Sequence, residues 1–135
     1  MTGETNLNIL LSSLSPELKD EEFVFCTFSN GAYGDHKHLQ PVASFMETEG
    51  LTLVISKNKA QQESLSFDTV FKMITLNIHS SLDAVGLTAA ISTKLTEYGI
   101  SANVIAAYHH DHIFVPSKQA DAAIDALNEF KDRTC

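Results

Sequence analysis

Four consecutive residues, His109, His110, Asp111 and His112, set three imidazoles beside a carboxylate. Imidazoles and carboxylates are good ligands for zinc and other transition metals. Adjacent strand residues point to opposite faces, so only His110 and His112 would share a side, and further ligands must come from elsewhere, with His36 and His38 as candidates. A metal is therefore the weakest of three readings. The others are a polar hairpin tip without ligand, and a surface that contacts a small organic ligand.

A free amino acid carries a carboxylate and an ammonium a few ångströms apart, so its site needs hydrogen-bond donors beside acceptors or negative charge. Val85-Gly86-Leu87, at the start of an expected helix, offers unpaired backbone N–H groups and a favourable dipole for a carboxylate. Gly86 lets a ligand approach without a Cβ in the way. Asp83 or Asp111 can meet the ammonium, as can free carbonyls on a sheet edge. Each has a plainer reading as well: Gly86 for close helix packing, Asp83 as a cap, Asn103 as a turn residue, Tyr108 as a packed strand aromatic.

Nucleophile elbows, phosphate loops and metalloprotease motifs are absent from the sequence. Glu21-Glu22 reads as solvated charge beside a turn, and Asp35-His36 as loop neighbours that do not meet as general base and orienter. No catalysis and no cofactor are expected.

Nine basic against seventeen acidic side chains give a net charge of -8, which repels phosphate backbones and argues against nucleic acid as a partner. Apolar runs are far short of a membrane span, and the first twenty residues lack the pattern of a secretory signal, so a cytoplasmic, membrane-free protein is expected. Cys26 lies in an apolar run and Cys135 at the terminus, which does not suggest a disulfide framework. A chain of 135 residues can build one domain, or two small units sharing a core.

The elements that must position these residues follow from periodicity. Residues 6–14 allow two helical turns, and Ser15-Pro16-Glu17 stops them or starts a short helical turn. Residues 23–28 are apolar on both faces, a strand covered on each side. Residues 29–40 form a long loop, residues 42–47 and 51–56 a hairpin around Thr48-Glu49-Gly50, and residues 57–64 a short helix.

Phe71, Met73, Thr75 and Asn77 alternate with Lys72, Ile74, Leu76 and Ile78, a half-buried strand. Ala84, Leu87, Ile91, Leu95 and Tyr98 form one helical stripe, begun by Ser80 and Asp83 at capping-box spacing and ended by Gly99. Residues 103–108 and 112–115 make a second hairpin, and Ala120, Ile124, Leu127 and Phe130 a last helix capped by Ser117. The second half is thus βαββα, which leaves a sheet edge and an apolar face to be covered by residues 1–70.

Three stretches carry a family likeness: Ser81-Leu82-Asp83-Ala84-Val85-Gly86-Leu87, Gly99-Ile100-Ser101-Ala102-Asn103-Val104-Ile105 and Asp111-His112-Ile113-Phe114-Val115-Pro116. Together they resemble the ACT domain, in the subclass found in stand-alone tandem proteins and in the cytosolic arginine sensors. Glu49-Gly50-Leu51-Thr52-Leu53-Val54 resembles the diverged ACT-like unit that precedes it in such proteins. The departure is the helix that precedes the first clear strand.

The resemblance implies an α+β, ferredoxin-like fold of two units, 1–70 and 71–135, with antiparallel sheets and helices on one face. It also implies a regulatory protein that binds a free amino acid at an interface between ACT-like units or subunits, as a homo-oligomer or with a regulated partner. The ligand-binding residues it points to are Asp83, Val85, Gly86, Leu87, Asn103, Val104, Ile105, Tyr108, His110 and Asp111, of which His110 and Asp111 match hairpin positions that face the ligand in the arginine sensors. The alternatives are a dimerisation or interaction module without ligand, and a His-based metal-dependent enzyme.

Overall fold

A computed structural model describes residues 6–78 and 85–133. Along the chain run α1 (Leu7–Ser12), β1 (Ser15–Phe28), β2 (Ala43–Glu47), β3 (Gly50–Ser56), α2 (Lys57–Gln62), β4 (Phe71–Asn77), α3 (Leu87–Glu97), β5 (Asn103–Ala106), β6 (Asp111–Pro116) and α4 (Ala120–Asn128). Two compact units divide it: Met1–Lys19 with Lys72–Cys135, and Asp20–Phe71.

In the first unit the strands lie in the order β1-β4-β6-β5, to which β1 contributes its opening residues. This is the strand order of a ferredoxin-like fold whose fourth strand comes from upstream of its first. The N-terminal segment also fills the apolar face. Leu10, Leu11 and Leu14 are buried in one cluster with Ile74 and Leu76 of β4, Ile113 and Val115 of β6, Leu87, Ile91 and Leu95 of α3, and Ala123, Leu127 and Phe130 near the C-terminus. Burying a leucine stabilises by about 1.5–3 kcal/mol, so these three side chains matter to a unit this small.

The local signals for α1 and α3 explain their ends. Asn6 Oδ1 accepts from the Ile9 N–H at 3.2 Å and caps α1. At the end of α3 the Ile100 N–H donates to the Leu95 carbonyl at 3.0 Å and the Gly99 N–H to Thr96 at 2.9 Å, with Gly99 at φ +69°. That is a Schellman motif, and buried Ile100 joins Leu95 in the core as the glycine cap expected from the sequence requires. Lys94 ties α3 to the C-terminal turn through Glu129 at 3.3 Å and lies over the Phe130 ring, 5.2 Å from its centroid.

Several expectations are corrected. Ser15-Pro16-Glu17 neither stops a helix nor starts a helical turn; these residues open β1, and Glu21 and Glu22 are strand residues rather than neighbours of a turn. Proline is tolerated at the start of a strand, and strand pairing rests on backbone groups, so a polar run can join a ladder. The second hairpin turns at residues 107–110, with Ala106 opposite Asp111 and the Ala107 N–H donating to the His110 carbonyl at 3.0 Å. Tyr108 is therefore an exposed loop residue and not a packed strand aromatic. Ser117 lies within a 3-10 turn, Ser117–Gln119, that leads into α4. The proposed capping box, Ser80 and Asp83, lies outside the described residues.

In the second unit the order is β2-β3-β1, both pairs antiparallel. Thr48 and Glu49 form the β2–β3 turn, and Gly50 sits at φ +145° where a Cβ would lie 2.5 Å from the Phe28 carbonyl oxygen. Only glycine fits there. The loop after β1 carries a 3-10 turn, Lys37–Leu39, and His36 stacks on Phe28 with ring centroids 4.0 Å apart. Leu39 of that turn joins Val24, Cys26, Leu51, Leu53, Ile55 and Ala60 in this unit's core.

Leu14 links α1 to β1 and is fully buried. Leu14→Ala should destabilise the protein by about 2–5 kcal/mol in urea denaturation, the range for a buried leucine that leaves a cavity. A loss below about 1 kcal/mol would mean that the N-terminal segment is not part of this core.

Candidate functional site

Gly86 sets the entry to α3. It adopts φ +92° as the helix N-cap, no side chain caps this end among the described residues, and its carbonyl accepts from the Ala90 N–H at 2.9 Å. The first-turn N–H groups at residues 87–89 follow it, the positive end of the helix dipole. A Cβ at Gly86 would lie 3.3 Å from Leu7 Cδ2, so α1 approaches this end of α3 closely. Val85 is 86% exposed, whereas Leu87 turns into the core.

The hairpin tip supplies the other candidates. Asp111 is half-buried, and burial pushes its carboxyl above the usual range, with the neighbouring His112 pulling it back. His112 is also half-buried; burial first, and then the charges of His110 and Lys19, hold its imidazole below the ordinary value, against the pull of Asp111. The His110 and His112 rings lie 6.1 Å apart, and those of His109 and His110 6.5 Å apart. Among the described residues no three His, Cys, Asp or Glu side chains converge as a metal set.

Residues that the sequence reading did not select form a polar row on strands β1, β4 and β6. Lys19 Nζ lies 2.6 Å from Glu17 Oε2, and Asn77 Nδ2 donates to Glu17 Oε1 at 3.2 Å. Hydrogen bonds from Lys19 and then Asn77 hold the exposed Glu17 carboxyl below the usual range, and the charge of His110 adds to them. Buried Thr75 is satisfied by His112, its Oγ1 lying 3.0 Å from Nδ1. The signal was present in the alternation of β4, which sets Thr75 and Asn77 on its less apolar face. For Glu17 and Lys19 it was hidden, because their segment was not read as a strand.

The named candidates are only partly brought together. Asp111 opens β6 with His110 just before it in the turn, and the charge of His110 reaches Glu17, which Asn77 at the end of β4 meets. Asn103 is at the opposite end of the hairpin, paired with Phe114 and donating through Nδ2 to its carbonyl at 3.3 Å. Val104 and Ile105 pair with Ile113 and His112, and Val104 packs against the core. Tyr108 is 79% exposed in the loop, and Asp83 lies outside the described residues. Donors at a helix N-terminus and a partly desolvated carboxylate can recognise a zwitterion. Among the described residues no helix is long and apolar enough to cross a membrane.

Family models for the ACT domain match residues 2–72 and 69–129. A protein of unknown function from Vibrio cholerae, named a possible transport protein, is 56% identical, with TM-score 0.86 over 93% of this chain and 95% of that one. A protein from Agrobacterium tumefaciens is 14% identical, with TM-score 0.67 over 87% and 89% of the two chains. The ligand-free regulatory subunit of aspartate kinase from Thermus thermophilus is 10% identical, with TM-score 0.56 over 86% and 95%. The last two likenesses are of fold alone. No curated protein matches.

The depressed imidazole of His112 has a defined sign. The unfolded chain takes up the proton near the ordinary histidine value of about 6.5, before the folded one does, so stability is full above that pH and falls as pH drops toward the lower folded value. Denaturant titrations between pH 7.5 and 5 should show this fall, and His112→Gln should flatten it. An unchanged slope in the variant would assign the dependence to other groups.

Proposed function

The chain belongs to the ACT-domain family, and from that premise we propose that it is a small regulatory protein that binds a free amino acid. Its two repeats, taken as residues 1–70 and 71–135, would hold the ligand at an interface of ACT-like units, within or between subunits, and pass the change to a regulated partner. The observation that carries this reading is the α3 N-terminus, where Gly86 at φ +92° caps the helix with no side chain. Its backbone donors suit a carboxylate.

Asp111 supports the other half of the recognition. Its carboxyl is partly desolvated and raised, and an ammonium beside it would offset that cost. His110 and Tyr108 would flank the ligand's side chain, and Val85, Leu87, Asn103, Val104 and Ile105 complete the set the family likeness points to. The subclass shared with the cytosolic arginine sensors remains part of this proposal, resting on the stretches at 81–87, 99–105 and 111–116. Regulatory domains of aspartate kinase share the fold, which supports a regulatory and non-catalytic role. Such a ligand acts only through the difference between its affinities for two arrangements of the protein.

Calorimetric titration with the twenty amino acids should find at least one that binds with a Kd of about 1 mM or tighter, an affinity worth roughly 4 kcal/mol. Gly86→Val should abolish that binding while leaving assembly intact. Gly86→Asn, which tolerates a positive φ better, should weaken binding with little loss of fold, separating ligand exclusion from strain. Binding should also weaken as pH falls through the raised Asp111 range. If no amino acid binds, the sensing role is lost and a module serving only assembly takes its place.

A further inference from the structure

The second unit holds a cleft of about 490 Å³ between residues 25–28 of β1 and residues 64–68, which follow α2. On one side this part of β1 pairs with β3, Phe25 opposite Val54 and Phe28 opposite Leu51. Across the cleft the chain runs through residues 65–68 outside any strand or helix, and the two segments line a concave wall. That volume suits a small organic molecule.

The chemistry of the lining is one-sided. Phe25, Phe28 and Phe67 supply aromatic surface, Thr27 and Ser66 supply hydroxyls, and Asp68 supplies a carboxylate, with no basic side chain among the lining residues. The unit as a whole has eight acidic against three basic side chains over residues 20–71, so its field attracts cations. The walls are held. Phe28 is stacked on His36, Phe25 meets Phe71 edge-on at 5.3 Å, and Cys26 Sγ donates to the Ser66 carbonyl at 3.7 Å, linking the two sides.

We propose that this cleft binds a small organic cation, a primary amine with an aromatic or aliphatic tail, whose ammonium meets Asp68 and whose tail lies against Phe28 and Phe67, on the side of β1 that packs on this unit's core. An ammonium gains from both the carboxylate and the ring faces, whereas a carboxylate ligand would meet Asp68 as a like charge with no basic side chain to offset it. The inference is independent of the amino-acid site at α3, which belongs to the other unit and needs a carboxylate on its ligand.

The test uses the full chain and amines without a carboxylate. Phenethylamine, titrated into labelled protein, should shift the amide resonances of residues 25–28 and 64–68 in a saturable way. Phenethyl alcohol, its neutral counterpart, should bind about tenfold more weakly or worse, and Asp68→Asn should weaken the amine by a similar factor while sparing the fold, since Asp68 is exposed. Absent saturable shifts at these residues, equal binding of the alcohol, or an unaffected Asp68→Asn variant would each overturn the assignment. An amine that shifts only residues near α3 would overturn it too.

Discussion

The structure depends on the need of a βαββα segment for one more strand and one more apolar layer. Residues 71–130 provide three strands and two helices but leave a sheet edge and part of their hydrophobic face unfilled. A strand edge presents unpaired N–H and C=O groups, and an apolar face in water is costly, so neither can stay exposed in a stable unit. Residues 6–19 answer both demands at once. The opening of β1 stands next to β4 in the sheet, and Leu10, Leu11 and Leu14 enter the core with α3 and α4. Residues 6–19 thus complete the unit that β4, α3, β5, β6 and α4 form.

That arrangement reaches the candidate site directly. Leu7 lies against the position that a side chain at Gly86 would take, so α1 helps to set the end of α3 from which the backbone donors project. Glu17 and Lys19, carried in by β1, meet Asn77 and extend the polar row that runs through Thr75 and His112. The exposed contacts of Glu17 with Lys19 and Asn77 are worth little in stability, because exposed pairs contribute little in water. Their consequence is electrostatic: Lys19 and His110 help keep the His112 imidazole neutral, while burial leaves Asp111 ready for a positive partner.

Much of this was legible in the sequence where side-chain periodicity and burial agree. The alternation of β4, the Leu87, Ile91 and Leu95 part of the α3 stripe and the Gly99-Ile100 cap describe elements whose one face is buried, and the structure has all three; Tyr98, read onto the same stripe, is instead 49% exposed at the end of α3, and Ala84 lies outside the described residues. The opening of β1 was missed because its pairing is a backbone matter: Pro16, Glu17, Lys19 and Glu21 carry no apolar alternation, and proline after a short helix looks like a stop. Tyr108 was misplaced because the hairpin loop is longer than a tight turn at 109–111 would be. The polar row and the cleft were out of reach for a different reason. They join side chains far apart in the chain, Glu17 with Asn77 and Phe28 with Phe67, and no local period reports such meetings.

The central claim is that the C-terminal ACT unit is one cooperative body with residues 6–19. Native-state hydrogen exchange measures this most directly, by reading the opening free energy of each amide as denaturant is raised. The account predicts that protected amides of α1 and of the first part of β1 open together with those of β4 and β6, at the same free energy and with the same denaturant dependence. If the N-terminal amides instead open at much lower free energy while β4 and β6 remain protected, residues 6–19 are an appendage and the account is wrong.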